Sequence, residues 1–222
     1  MRTLIVGLIT EGTTDLRFLK NVIYKSIVEL SWQCNELVEI LDVREISANG
    51  DSFVSKMTDA SKLAWQKYGI SNLCIHADSD SPTIDAVIQN KFDPLLSELQ
   101  KFSDNDCCKN IIPTIPIQMI ESWMLADKEL LKQLINAAKL SDTDLGIDKK
   151  PETYSDPKST IEHAIRIAMA GQTKRRRNDI RISDLYETLG NRLTLDSLRA
   201  IPSFVSFEAN VIKSFKQMGL MR

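Results

Sequence analysis

Thr3-Leu4-Ile5-Val6-Gly7-Leu8-Ile9-Thr10-Glu11-Gly12-Thr13-Thr14-Asp15 decides the fold class. Residues 3–10 are a short apolar run rich in β-branched side chains, the pattern of a buried strand. A turn at Gly12-Thr13-Thr14 follows, and Leu16, Phe18-Leu19, Val22-Ile23 and Ile27 then recur at helical spacing. The unit is strand, turn, helix, with a threonine expected as the helix N-cap. Outward from it the alternation repeats. Residues 36–46 read as a second strand, and 51–68 as a helix ended by Gly69. Residues 70–77 read as a third strand stopping at Asp78, and 83–102 as a helix interrupted near Pro94. Residues 110–117 read as a last strand, put at an edge by Pro113 and Pro116, and 119–138 as a further helix. Apolar strands alternating with helices predict an α/β fold with a mostly parallel sheet flanked by helices. Beyond residue 140 a loop-like stretch, 141–157, leads into helices alone. The expected organisation is therefore a domain over 1–140 and a helical, basic C-terminal extension over 141–222.

In parallel sheets, ligands bind beyond the carboxyl ends of the strands. Acidic residues gather at those ends here. Glu11 closes the first strand and Asp15 lies one turn into the next helix. Asp78 and Asp80 close the third strand, where residues two apart in extended chain face one side. Glu121 opens the helix after the last strand. Carboxylates packed together repel, and a divalent cation relieves the repulsion. Oxygen donors alone suit Mg²⁺ or Mn²⁺. With no CxxC spacing and only His76 and His163 as imidazoles, a structural zinc site is not expected. Nor is a Walker A or dinucleotide-binding glycine pattern present.

Glu11-Gly12-Thr13-Thr14-Asp15 and Asp78-Ser79-Asp80, in that order and strand context, resemble the EG and DxD motifs of the Toprim fold. That fold occurs in primases, topoisomerases, small nucleases and the overcoming-lysogenization-defect (OLD) nucleases. The stretch Ile120-Glu121-Ser122-Trp123-Met124-Leu125-Ala126-Asp127, and Asp156-Pro157-Lys158 after it, are similar to a family of small bacterial Toprim-like proteins often linked to phage-defence loci. The resemblance covers residues 1–160 or so. It implies Glu11 as general acid/base and metal ligand, Asp78 and Asp80 as Mg²⁺ ligands, and Asp15 and Glu121 at a second metal position. It also implies a metal-dependent nuclease or phosphodiesterase working on nucleic acid. No topoisomerase partner domains and no primase zinc domain accompany it.

Two other readings compete. One is a non-catalytic binding or regulatory subunit working through a larger defence-system protein. The other, less favoured, is a nucleotide-sugar transferase, where DxD also holds a metal-bound diphosphate. His76 beside the DxD motif and Lys158 are secondary candidates for phosphate or metal contact.

Composition sets the surroundings. The 222 residues carry 28 Lys and Arg against 30 Asp and Glu, a net charge of −2. Ten of those basic residues and five of the acids lie in 171–222, leaving 18 basic and 25 acidic groups in 1–170. The densest run, Lys174-Arg175-Arg176-Arg177 with Arg181, is the expected nucleic-acid contact. No apolar stretch approaches the ~20 residues that span a bilayer, so no membrane partner is expected. The four cysteines carry no disulfide pattern, and reduced thiols point to the cytoplasm.

Overall fold

The computed structural model describes residues 1–170 and 180–222. β1 (Arg2–Ile9) lies inside the sheet because both of its faces are apolar. Leu4, Val6 and Leu8 enter one core layer, while Ile5 and Ile9 enter the other. Its neighbours are β2 (Val38–Glu45) on one side and β3 (Asn72–His76) on the other, with β4 (Asn110–Thr114) beyond β3. All pairings are parallel, in the order β2-β1-β3-β4. The α/β class and the parallel sheet flanked by helices are thus as the sequence predicts. β4 is an edge strand, where the missing N–H of Pro113 is tolerated. β2 is the other edge. Its register to β1 slips between Leu4 and Ile5, leaving exposed Leu41 without a partner across the ladder.

Helices cover both faces. On one lie α2 (Phe53–Tyr68), α3 (Asp85–Val87) and α4 (Asp93–Leu99), packing Met57, Ala60, Ala64, Val87, Phe92 and Leu95 on Ile9, Leu73 and Ile75. Ser52 caps α2 by accepting the Ser55 N–H at 3.2 Å, and Gly69 stops it in the left-handed conformation at φ 62°. The interruption expected near Pro94 is a π-helical turn over Ile88–Phe92. A proline ring crowds the carbonyl four residues earlier, here Asn90, and the wider turn relieves that clash.

On the other face lie α1 (Thr13–Ser31) and everything after β4. The helix expected over 119–138 is two: α5 (Glu121–Met124) and α6 (Lys128–Leu134). Asp127 ends the first run by capping the second, accepting the Leu130 N–H at 2.9 Å. The loop-like 141–157 stretch contains α7 (Asp142–Leu145) and a 3₁₀ turn, Pro151–Thr153. α8 (Pro157–Met169), α9 (Ile182–Arg192), α10 (Leu195–Arg199) and α11 (Pro202–Gln217) follow.

These later helices share one apolar layer with the sheet: Val6, Leu8, Phe18 and Val22 belong with Ile161, Leu189, Phe204 and Phe215. α11 also runs along the β4 edge, where Asn210 donates to the Pro113 carbonyl at 3.2 Å. α9 lies so close to α1 that a Cβ on Gly190 would sit 2.6 Å from the Phe18 carbonyl oxygen. Arg199 forks onto buried Glu208 at 2.8 and 2.9 Å and reaches Glu29 of α1 at 2.8 Å.

Candidate active site

Because β1 pairs with β3 in the register Ile9↔Ile75, the Glu11 and Asp78 segments leave the sheet side by side at its carboxyl edge. The segment after β4 joins them. Ala77 donates to the Thr114 carbonyl at 3.2 Å, Ser79 to Pro116 at 3.2 Å, and Asp80 to Gln118 at 2.9 Å. Ser79 ties this double strand together, its Oγ accepting the Gln118 N–H at 2.8 Å. Asp80 sits at φ 48° and Gln118 at φ 61°, the left-handed region that a short Asp side chain tolerates. Asp78 is thereby held facing inward, while Asp80 is exposed at the turn.

The two-residue period of β3 sends Leu73 and Ile75 into one layer and Cys74 into the other. His76 shares the side of Cys74 and is completely buried. Its Nε2 lies 3.1 Å from Asp78 Oδ1 and its Nδ1 lies 3.8 Å from Asp15 Oδ2. Nδ1 makes no hydrogen bond. Asp15 comes from the first turn of α1, where its Oδ2 accepts the Gly12 N–H at 3.0 Å. Gly12, rather than the threonine the sequence suggests, is the N-cap, because the reaching carboxylate satisfies its N–H. Burial raises the Asp15 carboxyl above its ordinary range, against the lowering effect of His76, and the Asp78 charge raises it further.

Glu121 opens α5, buried to 4% exposure. The Tyr186 hydroxyl, from α9, donates a hydrogen bond to its Oε1. Burial raises the Glu121 carboxyl, and the Asp78 charge adds to this. The Tyr186 hydrogen bond and the charge of exposed Lys158 act the other way. The Tyr186 phenol is pushed up by burial, by donating to Glu121, and by the charges of Glu121, Asp15 and Asp78. Asp78 therefore acts electrostatically on Asp15, Glu121 and Tyr186, and Lys158 acts on Glu121, along one edge of the sheet.

Glu11 stands apart in its pairing. It is 45% exposed, and Lys91 of the π-helical turn holds its Oε1 at 3.1 Å. With Thr10, Glu45, Ser47 and Lys56 it lines a shallow cleft at the carboxyl ends of β1 and β2. Arg181 is the N-cap of α9, exposed, its N–H donating to Asp184 at 3.0 Å. Lys174, Arg175, Arg176 and Arg177 lie outside the described residues. Sequence reasoning missed Tyr186 and Lys91. Tyr186 sits beside Leu185 in an apolar stripe and reads as core; Lys91 carries no local signal.

As donors, these carboxylates suit a hard divalent cation: oxygen-only, mutually repelling and partly desolvated. They are not closed around one point, since no three His, Cys, Asp or Glu among the described residues stand together as a metal-holding group. No described helix is long and apolar enough to cross a membrane. Compared with protein-family models, curated proteins and solved structures, the chain matches none.

Proposed function

We propose that this protein is a Mg²⁺- or Mn²⁺-dependent phosphodiester-cleaving enzyme of the Toprim type, acting on nucleic acid. The observation that carries the reading is the parallel pairing of β1 with β3. It sets the Glu11–Asp15 segment beside His76 and Asp78, with Glu121 drawn to the same edge. Asp78, Asp80 and Glu11 would hold the cation, with Asp15 and Glu121 at a second position. When bound, the cation supplies charge neutralisation on the nonbridging phosphate oxygens. His76 orients Asp78 from below through its Nε2 contact. Glu11, in the open cleft with Lys91 on its carboxylate, would take or give a proton. Lys158 offers an exposed positive charge beside Glu121 for a phosphate, and Arg181 with the basic run before it would track the strand. The sequence resemblance extends the proposal to phage defence.

The test is cleavage of single- and double-stranded DNA and RNA by the purified protein with Mg²⁺ or Mn²⁺, beside Glu11→Gln and Asp78→Asn. Loss of about 100-fold or more in each variant is expected, the scale on which groups that act on the transition state contribute. Equal activity in all three proteins overturns the reading.

A further inference from the structure

We infer that Tyr186 is a positioning residue of this site: through its hydroxyl, α9 sets the orientation of the Glu121 carboxylate. The inference rests on the metal-site reading above. Both groups are buried, Tyr186 at 2% and Glu121 at 4% exposure, and 65 residues of chain separate them. A phenol donating to a carboxylate makes a charge-assisted hydrogen bond, stronger and more directional than a neutral one. It fixes Oε1, and with it the plane of the carboxylate.

α9 is itself fixed in place. Gly190, one turn beyond Tyr186, lies against the Phe18 backbone. At the helix end, Lys25 of α1 donates to the carbonyls of Leu193 at 2.6 Å and Asn191 at 3.3 Å. A tyrosine present only for packing would have no bearing on how tightly the carboxylates hold a cation. One that orients Glu121 would act on it through that residue alone.

Mn²⁺ binding, followed by the loss of the free-ion electron paramagnetic resonance signal, separates these cases. The proteins are the wild type, Asp78→Asn, Tyr186→Phe, Glu121→Gln and the Tyr186→Phe/Glu121→Gln double variant. Each is measured below its own melting temperature. Tyr186→Phe is expected to weaken Mn²⁺ binding about 10-fold, the loss of one charge-assisted hydrogen bond. The double variant is expected to bind no more weakly than Glu121→Gln alone, because the effects run through one carboxylate. Tyr186→Phe binding as tightly as the wild type while Asp78→Asn has lost the ion overturns the inference and spares the metal site. So does full additivity in the double variant, which would also expose a general loss of structure. No Mn²⁺ binding by the wild type removes the metal site, and this inference with it.

Discussion

Replacing Gly190 with alanine tests how the helical layer is seated on α1. In an open helix the change is favourable, by about 1 kcal/mol, because alanine restricts the unfolded chain and suits the helix. Here the new Cβ would stand 2.6 Å from the Phe18 carbonyl oxygen, 3.0 Å from its Cα and 3.2 Å from its carbonyl carbon, where ordinary contact begins near 3.4 Å. All three neighbours are backbone atoms inside α1, so no side chain can rotate away. The two helices must part by about 0.8 Å, opening gaps along a close-packed layer. Overpacking costs about 1–3 kcal/mol, and three unyielding backbone atoms put this case in the upper part of that range, about 2–3 kcal/mol. Less the propensity gain, a net loss of about 1–2 kcal/mol is expected. Urea unfolding followed by circular dichroism reads that loss as a lower midpoint at unchanged slope. For a chain of this length the melting temperature should fall by about 2–8 °C. A midpoint equal to or above that of the wild type would refute the close approach, and with it the account of how Tyr186 is placed.

Glu121→Gln should stabilise the protein at neutral pH, since the amide still accepts from Tyr186 and no charge is buried. A native carboxyl raised by burial binds its proton more tightly than the unfolded one, so wild-type stability is eroded as pH rises through the native value. The advantage of the variant should be absent near pH 4 and grow toward pH 7, read from urea midpoints across that range; a constant difference would contradict the assignment. Arg199→Ala should cost about 2–4 kcal/mol, because among the described residues it leaves buried Glu208 with the Ser26 hydroxyl, at 2.9 Å, as its one remaining partner. Adding Glu208→Gln should recover part of that loss, and no recovery would mean that the pair is not the cause.

What was legible in the sequence follows from how local its causes are. β1 and β3 are buried on both faces, so their apolar runs announce themselves. Gly69, Pro94 and Pro113 mark a stop, a distortion and an edge through their own backbone chemistry. The strand-end carboxylates could be picked out because a parallel sheet gathers such ends at one edge. What failed depends on partners distant along the chain or on competition among nearby polar groups. The break between α5 and α6 comes from Asp127 preferring to cap rather than continue a helix. The N-cap of α1 passes to Gly12 because Asp15 reaches back to it. No spacing rule relates Glu11 to Lys91 or Glu121 to Tyr186, which lie 80 and 65 residues apart.

Those long-range pairs bear on what the C-terminal segment does. Asp15, His76 and Asp78 come from the sheet and the first turn of α1, but Lys158 and Tyr186, which act on Glu121, come from α8 and α9. The apolar layer under the site runs unbroken from Leu4 to Leu220. The described helices after β4 thus share one apolar layer with the sheet, while a net charge of −2 conceals that the first 170 residues are acidic and the rest of the sequence basic. Lys158 and Arg181, both exposed, stand on the elements that also build the carboxylate site. On the proposed function, a polyanion drawn by these two exposed charges would arrive at the edge where the carboxylates would hold a cation. Under the function proposed above, the two opposite charges would serve one binding event: one would attract the substrate, and the other would exclude it until a metal ion is bound.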